Sequence, residues 1–156
     1  MSDIIAAGVA YRGIRSGYKV WKGTRAYCPI VPGGGLVAHE AAGGHLITRH
    51  VGKTEVELLN RVSRGNVKTA SSFTDRATAE AITSKAIDAN QSKINNYLSE
   101  SQKGYLEIDY KSSSTVGINI SKGKKSATQV TNARIIIARD PSMPTGYRII
   151  TGYPTP

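Results

Sequence analysis

The chain has 156 residues, enough for one domain with a compact core, and its 39% hydrophobic content excludes a disordered composition. The single cysteine, Cys28, excludes an intramolecular disulfide and a four-cysteine zinc site. The net charge of +10 exceeds what solubility requires, so it favours a polyanionic partner: nucleic acid, an anionic membrane surface or an acidic protein. No apolar run approaches the roughly 20 residues of a membrane span.

Residues 1–35 differ in composition from the rest of the chain. Five of the first 33 residues are basic and one is acidic; in a helix, four of the basic side chains would share a face beside an apolar stripe. The pattern predicts either a docking helix or a basic amphipathic segment that meets a membrane or guides delivery through residues 1–25. Pro29, Pro32 and Gly33–Gly35 indicate a linker, so we divide the chain into a segment 1–35 and a domain 36–156. The first residues of the chain, Met1-Ser2-Asp3, lack the basic region of a signal peptide.

The first half of the domain has helical periodicity. A short helix is predicted over 36–42, ending at Gly43-Gly44, whereas the pattern of 46–51 fits either an extended segment or a helical turn. Thr54 and Glu57 predict a capping box that begins a helix over 55–63. That helix would turn Val56, Leu59 and Val62 inward.

A short strand over 70–73 and one long helix from Asp75 to about Ser99 follow. The residues predicted to line the long helix's buried face are Ala79, Ile82, Ala86, Ala89, Ile94 and Leu98.

After Gly104 the hydrophobic period changes from 3.6 to 2. Alternating patterns predict strands over 105–110, 115–121, 130–139 and 147–153. Helices first and strands second indicate an α+β fold in which N-terminal helices pack on an antiparallel sheet.

All three histidines, His39, His45 and His50, lie within twelve residues, with Arg49 and Lys53 beside them. Metal-independent RNA cleavage needs a base for the 2′-hydroxyl, positive charge for the phosphorane and an acid for the leaving oxygen. Histidine exchanges protons near neutral pH, and arginine and lysine bind phosphate. The sequence has no carboxylate cluster for two magnesium ions and no zinc-protease spacing, so we expect neither a metal nor another cofactor.

Each candidate residue also has an ordinary structural interpretation. A histidine is more often structural than catalytic, and Arg61 could pair with Glu57 four residues before it. Tyr153 could simply pack in a terminal strand. Thr151 lies two residues earlier on the same face, so two hydroxyl groups could reach one phosphate.

The domain resembles the ribonuclease A-like toxin domain at the C-termini of bacterial contact-dependent growth inhibition proteins and related polymorphic toxins. The similarity extends over about residues 36–156. The motifs that support it are His39-Glu40 with Gly43-Gly44-His45, Arg49-His50-Val51-Gly52-Lys53-Thr54 continuing to Leu58-Leu59-Asn60-Arg61, Ala70-Ser71-Ser72-Phe73-Thr74-Asp75 with Thr78-Ala79-Glu80-Ala81-Ile82, and Thr151-Gly152-Tyr153-Pro154.

The resemblance implies a fold like that of pancreatic ribonuclease but without disulfides. It implies metal-independent cleavage of RNA in the cytoplasm of a target bacterium, after delivery as part of a larger secreted or cell-surface toxin. It also implies a cognate immunity protein, expected to be acidic, that plugs the active site, and we expect a monomer.

Carried over by position, the functional residues of the family fall on His50, Arg61, Thr151 and Tyr153. The resemblance implies that His50 is the general base or acid, that Arg61 neutralises the phosphate, and that Thr151 and Tyr153 bind phosphate or protonate the leaving group. Pancreatic-type enzymes use a second histidine on the last strand, and this chain has none after His50. Tyr153 is therefore the candidate acid, and because a phenol is a poor proton donor at neutral pH, turnover could be slow.

His39, His45 and Lys53 are additional candidates for binding substrate. Two other functions compete with this hypothesis. One is a non-catalytic basic module that binds nucleic acid and uses its histidines structurally. The other is a membrane-active toxin that acts through residues 1–25, whose apolar stripe is short and interrupted by glycines.

Overall fold

The computed structural model of the protein describes residues 30–100 and 103–156. The predicted basic amphipathic segment over 1–25 and Cys28 lie outside the described residues. Among the described helices, none is both long enough and apolar enough to cross a membrane. The elements in chain order are α1 (Gly35–Ala41), α2 (Leu46–His50), α3 (Glu55–Arg64), β1 (Thr69–Phe73), α4 (Arg76–Ala89), α5 (Gln91–Ser99), β2 (Tyr105–Lys111), β3 (Gly117–Ser121), β4 (Thr128–Val130), β5 (Asn132–Arg139) and β6 (Tyr147–Thr155).

The strands form two three-stranded antiparallel sheets, in the orders β1-β3-β4 and β2-β5-β6. The predicted α+β class is confirmed, but the single strand predicted over 130–139 is wrong. The chain leaves the first sheet after Val130 and enters the second at Asn132. The two sheets meet where β1 and β3 approach β6: a Cβ on Gly117 would lie 2.8 Å from Cγ of Pro154.

The predicted long helix over 75–99 is two helices, α4 and α5, separated at Asn90. Asp75 caps α4 by accepting from the Thr78 N–H at 2.8 Å. The Asn90 side chain donates to the Ala86 carbonyl at 2.8 Å and to the Asp109 carbonyl of β2 at 3.2 Å, so a tertiary contact stabilises the break.

The break changes which side chains of this region are buried. Ala79, Ile82, Ala86 and Ile94 are buried as predicted. Ala89, at the end of α4, is exposed, and Leu98 is half-buried. The residues that take up the core positions instead are Ile87 and Tyr97.

The capping box of α3 is confirmed. The Thr54 hydroxyl accepts from the Glu57 N–H, and the Glu57 carboxylate accepts from the Thr54 N–H at 2.9 Å. The predicted inward face is partly wrong: Val56 is 66% exposed, while Leu58 is buried with Val62. Leu58 and Val62 are four residues apart, so they form the stripe that packs on β1 and β3.

The end of the predicted linker is part of the packed structure. Val31 is buried, and its N–H donates to the Glu80 carboxylate of α4 at 2.8 Å. The Leu36 N–H donates to the same carboxylate. The division of the chain at residues 35 and 36 remains a prediction, since residues 1–29 are not described.

Gly44 allows the turn between α1 and α2 to lie directly against β6. A Cβ at this position would stand 2.2 Å from the Ile149 carbonyl oxygen, and the next residue, His45, donates its N–H to the Ile150 carbonyl at 2.7 Å. At neighbouring Gly43, φ is +111°, but the nearest atom to a Cβ would be 3.8 Å away.

Gly44→Ala should therefore lower the free energy of unfolding by more than about 3 kcal/mol, because the turn must separate from β6. Gly43→Ala is the matched control, and its cost is expected to be about 1–2 kcal/mol from the left-handed backbone alone. Urea denaturation measures both values. Equal losses in the two variants would contradict the close approach at Gly44.

Candidate active site

The segment that presents His50 is held at both ends. The Glu40 carboxylate caps α2: it accepts from the Ile47 N–H at 3.2 Å and from the Thr48 N–H at 2.8 Å. After α2 the chain becomes extended and follows β1, where Gly52 donates to the Phe73 carbonyl at 3.1 Å. The pattern of residues 46–51 fits either a helical turn or an extended segment. In the structure, these residues are helical up to His50 and extended beyond it.

His50 lies in the interior but keeps one ring nitrogen available. Its side chain is 8% exposed, and Nδ1 lies 3.0 Å from the Ser71 carbonyl oxygen of β1. Because a carbonyl can only accept, Nδ1 carries the proton and Nε2 keeps its lone pair. The pKa of His50 is lowered to about 4, mainly by burial. The nearby charges of Arg61, His45 and Arg49 lower it further, whereas the hydrogen bond to Ser71 raises it. The imidazole is therefore neutral at pH 7.

A β-bulge in β6 determines which way the end of this strand faces. Ile137 pairs with Ile149, but Ile136 pairs with Thr151, so Ile150 is the additional residue. Tyr147 and Ile149 are buried before the bulge, and the buried positions after it are Gly152 and Pro154. Thr151 and Tyr153 consequently share the opposite, partly exposed face of the strand.

The aromatic ring of Tyr153 contacts His50. The two ring centroids are 5.4 Å apart, with an angle of 48° between the planes. The Thr151 hydroxyl oxygen is buried, and it has no hydrogen-bond partner among the described residues. A buried hydroxyl without a partner is costly unless a ligand or water supplies the bond.

Arg61 faces the same region from α3. Its charge acts on His50, and it lines a pocket of about 550 Å³ together with Arg49 and Lys53. The alternative salt bridge to Glu57 does not occur among the residues described, because the Glu57 carboxylate is bonded to Thr54. Arg61 therefore keeps its charge available to an anion.

The three additional candidates lie in different surroundings. His39 is buried and uses both ring nitrogens: Nε2 donates to the Pro32 carbonyl at 2.8 Å, and Nδ1 accepts from the Ile149 N–H at 2.9 Å. His45 is half-buried near His50, and its Nδ1 has no partner in the described part of the chain. Lys53 lines the pocket, and its own N–H donates to the Ser72 hydroxyl at 2.9 Å. His39 thus supports the fold, whereas His45 and Lys53 lie near the site.

Two further arginines lie near the site but are not among the site residues predicted from the sequence, although Arg49 belongs to the basic cluster around the histidines. Arg134 is the cross-strand partner of Tyr153, and Asp109 at 2.8 Å and Glu107 at 3.6 Å balance its charge. Arg49 is exposed on α2 and lines the pocket. The position of Arg49 next to His50 was a usable signal, but the register that places Arg134 beside Tyr153 could not be read from one strand.

Within residues 30–100 and 103–156, no three His, Cys, Asp or Glu side chains form a group able to hold a metal ion. Glu40, the carboxylate nearest His39 in sequence, caps α2 through Ile47 and Thr48.

The fold and the site can now be compared with known proteins. A family model described as "Bacterial CdiA-CT RNAse A domain" matches residues 44–154. A crystal structure of a CdiA-CT/CdiI complex from Y. kristensenii 33638 contains a chain 77% identical to this one, covering 72% of this chain and 100% of that chain, with a TM-score of 0.70. Among curated proteins no match is found.

These similarities define the class as a ribonuclease toxin domain. The chain belongs to the bacterial CdiA-CT RNAse A domain family of contact-dependent growth inhibition toxins. The resemblance drawn from the sequence motifs is confirmed, and an endoribonuclease is favoured over a module that only binds nucleic acid.

The lowered pKa of His50 makes folding stability depend on pH. The pKa is about 4 in the folded chain against 6.5 for a free histidine, so as the pH falls from about 6.5 to about 4 the unfolded chain binds a proton that the folded chain does not. Because of His50, the free energy of unfolding should fall by up to about 3 kcal/mol as the pH decreases over this range.

Urea denaturation at pH 7 and pH 4.5 measures this effect, with His50→Gln as the reference. Other groups with shifted pKa values, His39 and Glu80 among them, titrate in both proteins, so the difference between the two proteins isolates His50. Equal pH dependence in both would contradict a neutral, buried His50.

Proposed function

We propose that this domain cleaves RNA without a metal ion, by attack of a ribose 2′-hydroxyl on the adjacent phosphate. The observation on which the proposal depends is the setting of His50. Nδ1 is bonded to the Ser71 carbonyl, Nε2 has no hydrogen-bond partner among residues 30–100 and 103–156, and the ring contacts Tyr153. A neutral imidazole with a fixed tautomer is suited to accept a proton.

His50 is the general base in this mechanism. Its Nε2 takes the 2′-hydroxyl proton as the oxygen attacks phosphorus, and the bond from phosphorus to the 5′-oxygen then breaks. A base with a pKa of about 4 is weak, but part of that depression comes from Arg61 and Arg49. A bound phosphate offsets those charges, so substrate binding should raise the basicity of His50 at the moment it is needed.

The other three residues act on the phosphate and the leaving group. Arg61 neutralises the phosphate charge, and its lack of an ion pair among the described residues supports this role. The Thr151 hydroxyl, without a partner in the described structure, donates to a phosphate oxygen. The Tyr153 phenol gives its proton to the departing 5′-oxygen, and the proton on His50 returns to Tyr153 through solvent. His45 and Lys53 assist in binding substrate.

We also propose how this chain acts in the cell. The related chain from Y. kristensenii 33638 is in complex with CdiI. A corresponding acidic immunity protein would cover the basic surface around Arg49, Lys53 and Arg61 and so block the site. The domain acts as a monomer in the cytoplasm of a target cell after delivery as part of a larger toxin. Residues 1–35 are the segment that docks on the domain or contacts membrane through 1–25 during delivery, and the end of this segment, from Val31, packs on the domain.

His50→Ala and Tyr153→Phe should each reduce kcat/KM for RNA by about 10²–10⁴-fold, because each removes one proton-transfer group. Gel separation of a labelled RNA after incubation measures cleavage. Lys85→Gln, on the exposed side of α4, is the matched surface control and should cleave normally. Full activity of the His50 variant, with its fold verified by circular dichroism, would overturn the mechanism.

Cleavage should continue in excess EDTA and leave a 2′,3′-cyclic phosphate, because the 2′-oxygen is the nucleophile and the protein supplies the charge. Mass spectrometry of a short RNA product identifies the end group. An RNA with a 2′-O-methyl group at the cut position should resist cleavage. Loss of activity in EDTA, restored by a divalent cation, would show that a metal is required.

A further inference from the structure

The bulge in β6 is held from outside its own sheet. β6 is an edge strand in the order β2-β5-β6, and a bulge leaves backbone groups of the strand without partners in the ladder. Helix α1 and the turn that follows it supply those partners. The Ile150 carbonyl accepts from the His45 N–H at 2.7 Å, and the Ile149 N–H donates to Nδ1 of His39 at 2.9 Å. The two residues at the bulge are therefore fixed by residues far away in the chain.

His39 can accept this bond because of its tautomer. On the other side of the ring, Nε2 lies 2.8 Å from the Pro32 carbonyl oxygen. Since a carbonyl only accepts, Nε2 carries the proton and Nδ1 keeps its lone pair, which is the tautomer opposite to that of His50. The ring is 1% exposed and stacks on Tyr147, with the centroids 6.0 Å apart. Burial also lowers the pKa of His39, so the ring is neutral at pH 7 and keeps its acceptor.

The carbonyl that fixes this tautomer is itself held in place. Pro32 lies between Val31 and Leu36, and the N–H groups of these two residues both donate to the Glu80 carboxylate of α4. Val31 and Leu36 are also buried in the core. The Pro32 carbonyl therefore has a defined position against His39, and the imidazole forms a bridge from this segment to β6.

The bridge ends directly before the proposed site. Ile149 is buried, Ile150 is the additional residue of the bulge, and Thr151 follows it. A shift of one residue at the bulge would turn Thr151 and Tyr153 toward the core, because the side chains of a strand alternate between its faces. It would also separate Tyr153 from His50, whose rings lie 5.4 Å apart. The placement of both hydroxyl groups therefore depends on how firmly β6 is held at Ile149.

We propose that His39 is a positioning residue for RNA cleavage: by accepting from the Ile149 N–H, its ring holds β6 in the register that presents two hydroxyl groups to the reacting phosphate. Those groups are the side chains of Thr151 and Tyr153. The inference rests on the proposed cleavage at His50. His39 itself touches neither the substrate nor the reacting atoms, because both of its ring nitrogens are bonded within the protein. Its effect on the reaction is transmitted through β6.

The test uses two amide variants that each keep one half of the bridge. In His39→Asn the side-chain oxygen stands near the place of Nδ1 and can still accept from the Ile149 N–H. In His39→Gln the terminal amide stands near the place of Nε2 and can still donate to the Pro32 carbonyl. Both variants remove the ring that stacks on Tyr147, so they are matched in the packing that they lose.

Steady-state cleavage of a labelled RNA measures kcat and KM. His39→Gln should lower kcat by about 10–100-fold, because a small displacement of reacting groups has effects of this size. Its KM should change by less than about threefold, since the cations of the pocket, Arg49, Lys53 and Arg61, lie outside β6. His39→Asn should keep kcat within about threefold of the native value. Asp75→Ala, which removes the cap of α4, is the stability control: it should lower the melting temperature and keep the native kcat while it is folded.

NMR tests the bridge without RNA. In the native protein at pH 7, heteronuclear spectra of the imidazole nitrogens should show the proton of His39 on Nε2 and that of His50 on Nδ1. Hydrogen exchange of the Ile149 amide should be slow in the native protein and in His39→Asn, and faster in His39→Gln. If these results hold but the native protein cleaves no RNA, the proposed function fails and the attachment of β6 by His39 remains.

Three results would overturn the positioning role. A native kcat in His39→Gln, with its fold verified by circular dichroism, would show that the bond to Ile149 does not position the site. An equal loss of kcat in the two amide variants would assign the effect to the ring and not to the bond. A proton on Nδ1 of His39 in the native protein, a measurement that needs no variant, would exclude the acceptor.

Discussion

The hydrogen bond from Nδ1 of His50 to the Ser71 carbonyl is the constraint on which the site depends. It fixes the tautomer of the ring, and it joins α2 to β1 at the point where the chain changes from helix to extended structure. The bonds of Gly52 and Lys53 to β1 continue the same attachment. A five-residue helix has little stability of its own, so the position of the imidazole depends on these tertiary bonds.

Burial of His50 has two opposite effects on the ability of its ring to act as a base. It keeps the ring neutral and able to accept a proton at pH 7, and it makes that ring a weak base. The nearby arginines add to the depression of its pKa only while they lack an anion. In the proposed mechanism, the negative charge of the substrate would raise the pKa of His50, since the reacting phosphate would neutralise the positive charges that lower it.

Positive charge is distributed unevenly around the site. Arg134, next to Tyr153, forms ion pairs with Asp109 and Glu107, and these carboxylates neutralise the charge that it would otherwise offer to a ligand. Arg49, Lys53 and Arg61 have no such partners among the described residues, because Glu40 and Glu57 cap the helices α2 and α3 instead. Glu40 and Glu57 thus stabilise helix ends. Glu55, the acid nearest Lys53 in sequence, accepts from the Ala127 N–H instead of pairing with a cation of the pocket.

The sequence by itself determined the fold class, the family and part of the local structure. Capping at Thr54, the glycines after α1 and the alternating pattern after Gly104 are short-range signals, which sequence records directly. The same holds for the shared face of Thr151 and Tyr153. It could not show that Asn90 divides a helix or that Leu58 rather than Val56 is buried, because both depend on what packs against the helix. Only the tertiary structure decided that the bulge at Ile150 turns Thr151 and Tyr153 out of the core. The same is true of the difference between His39, whose two ring nitrogens are bonded, and His50, which has one ring nitrogen without a partner among the described residues. Each of these results depends on contacts between residues far apart in the chain. The residue pattern of a single segment does not show which distant residues it will contact.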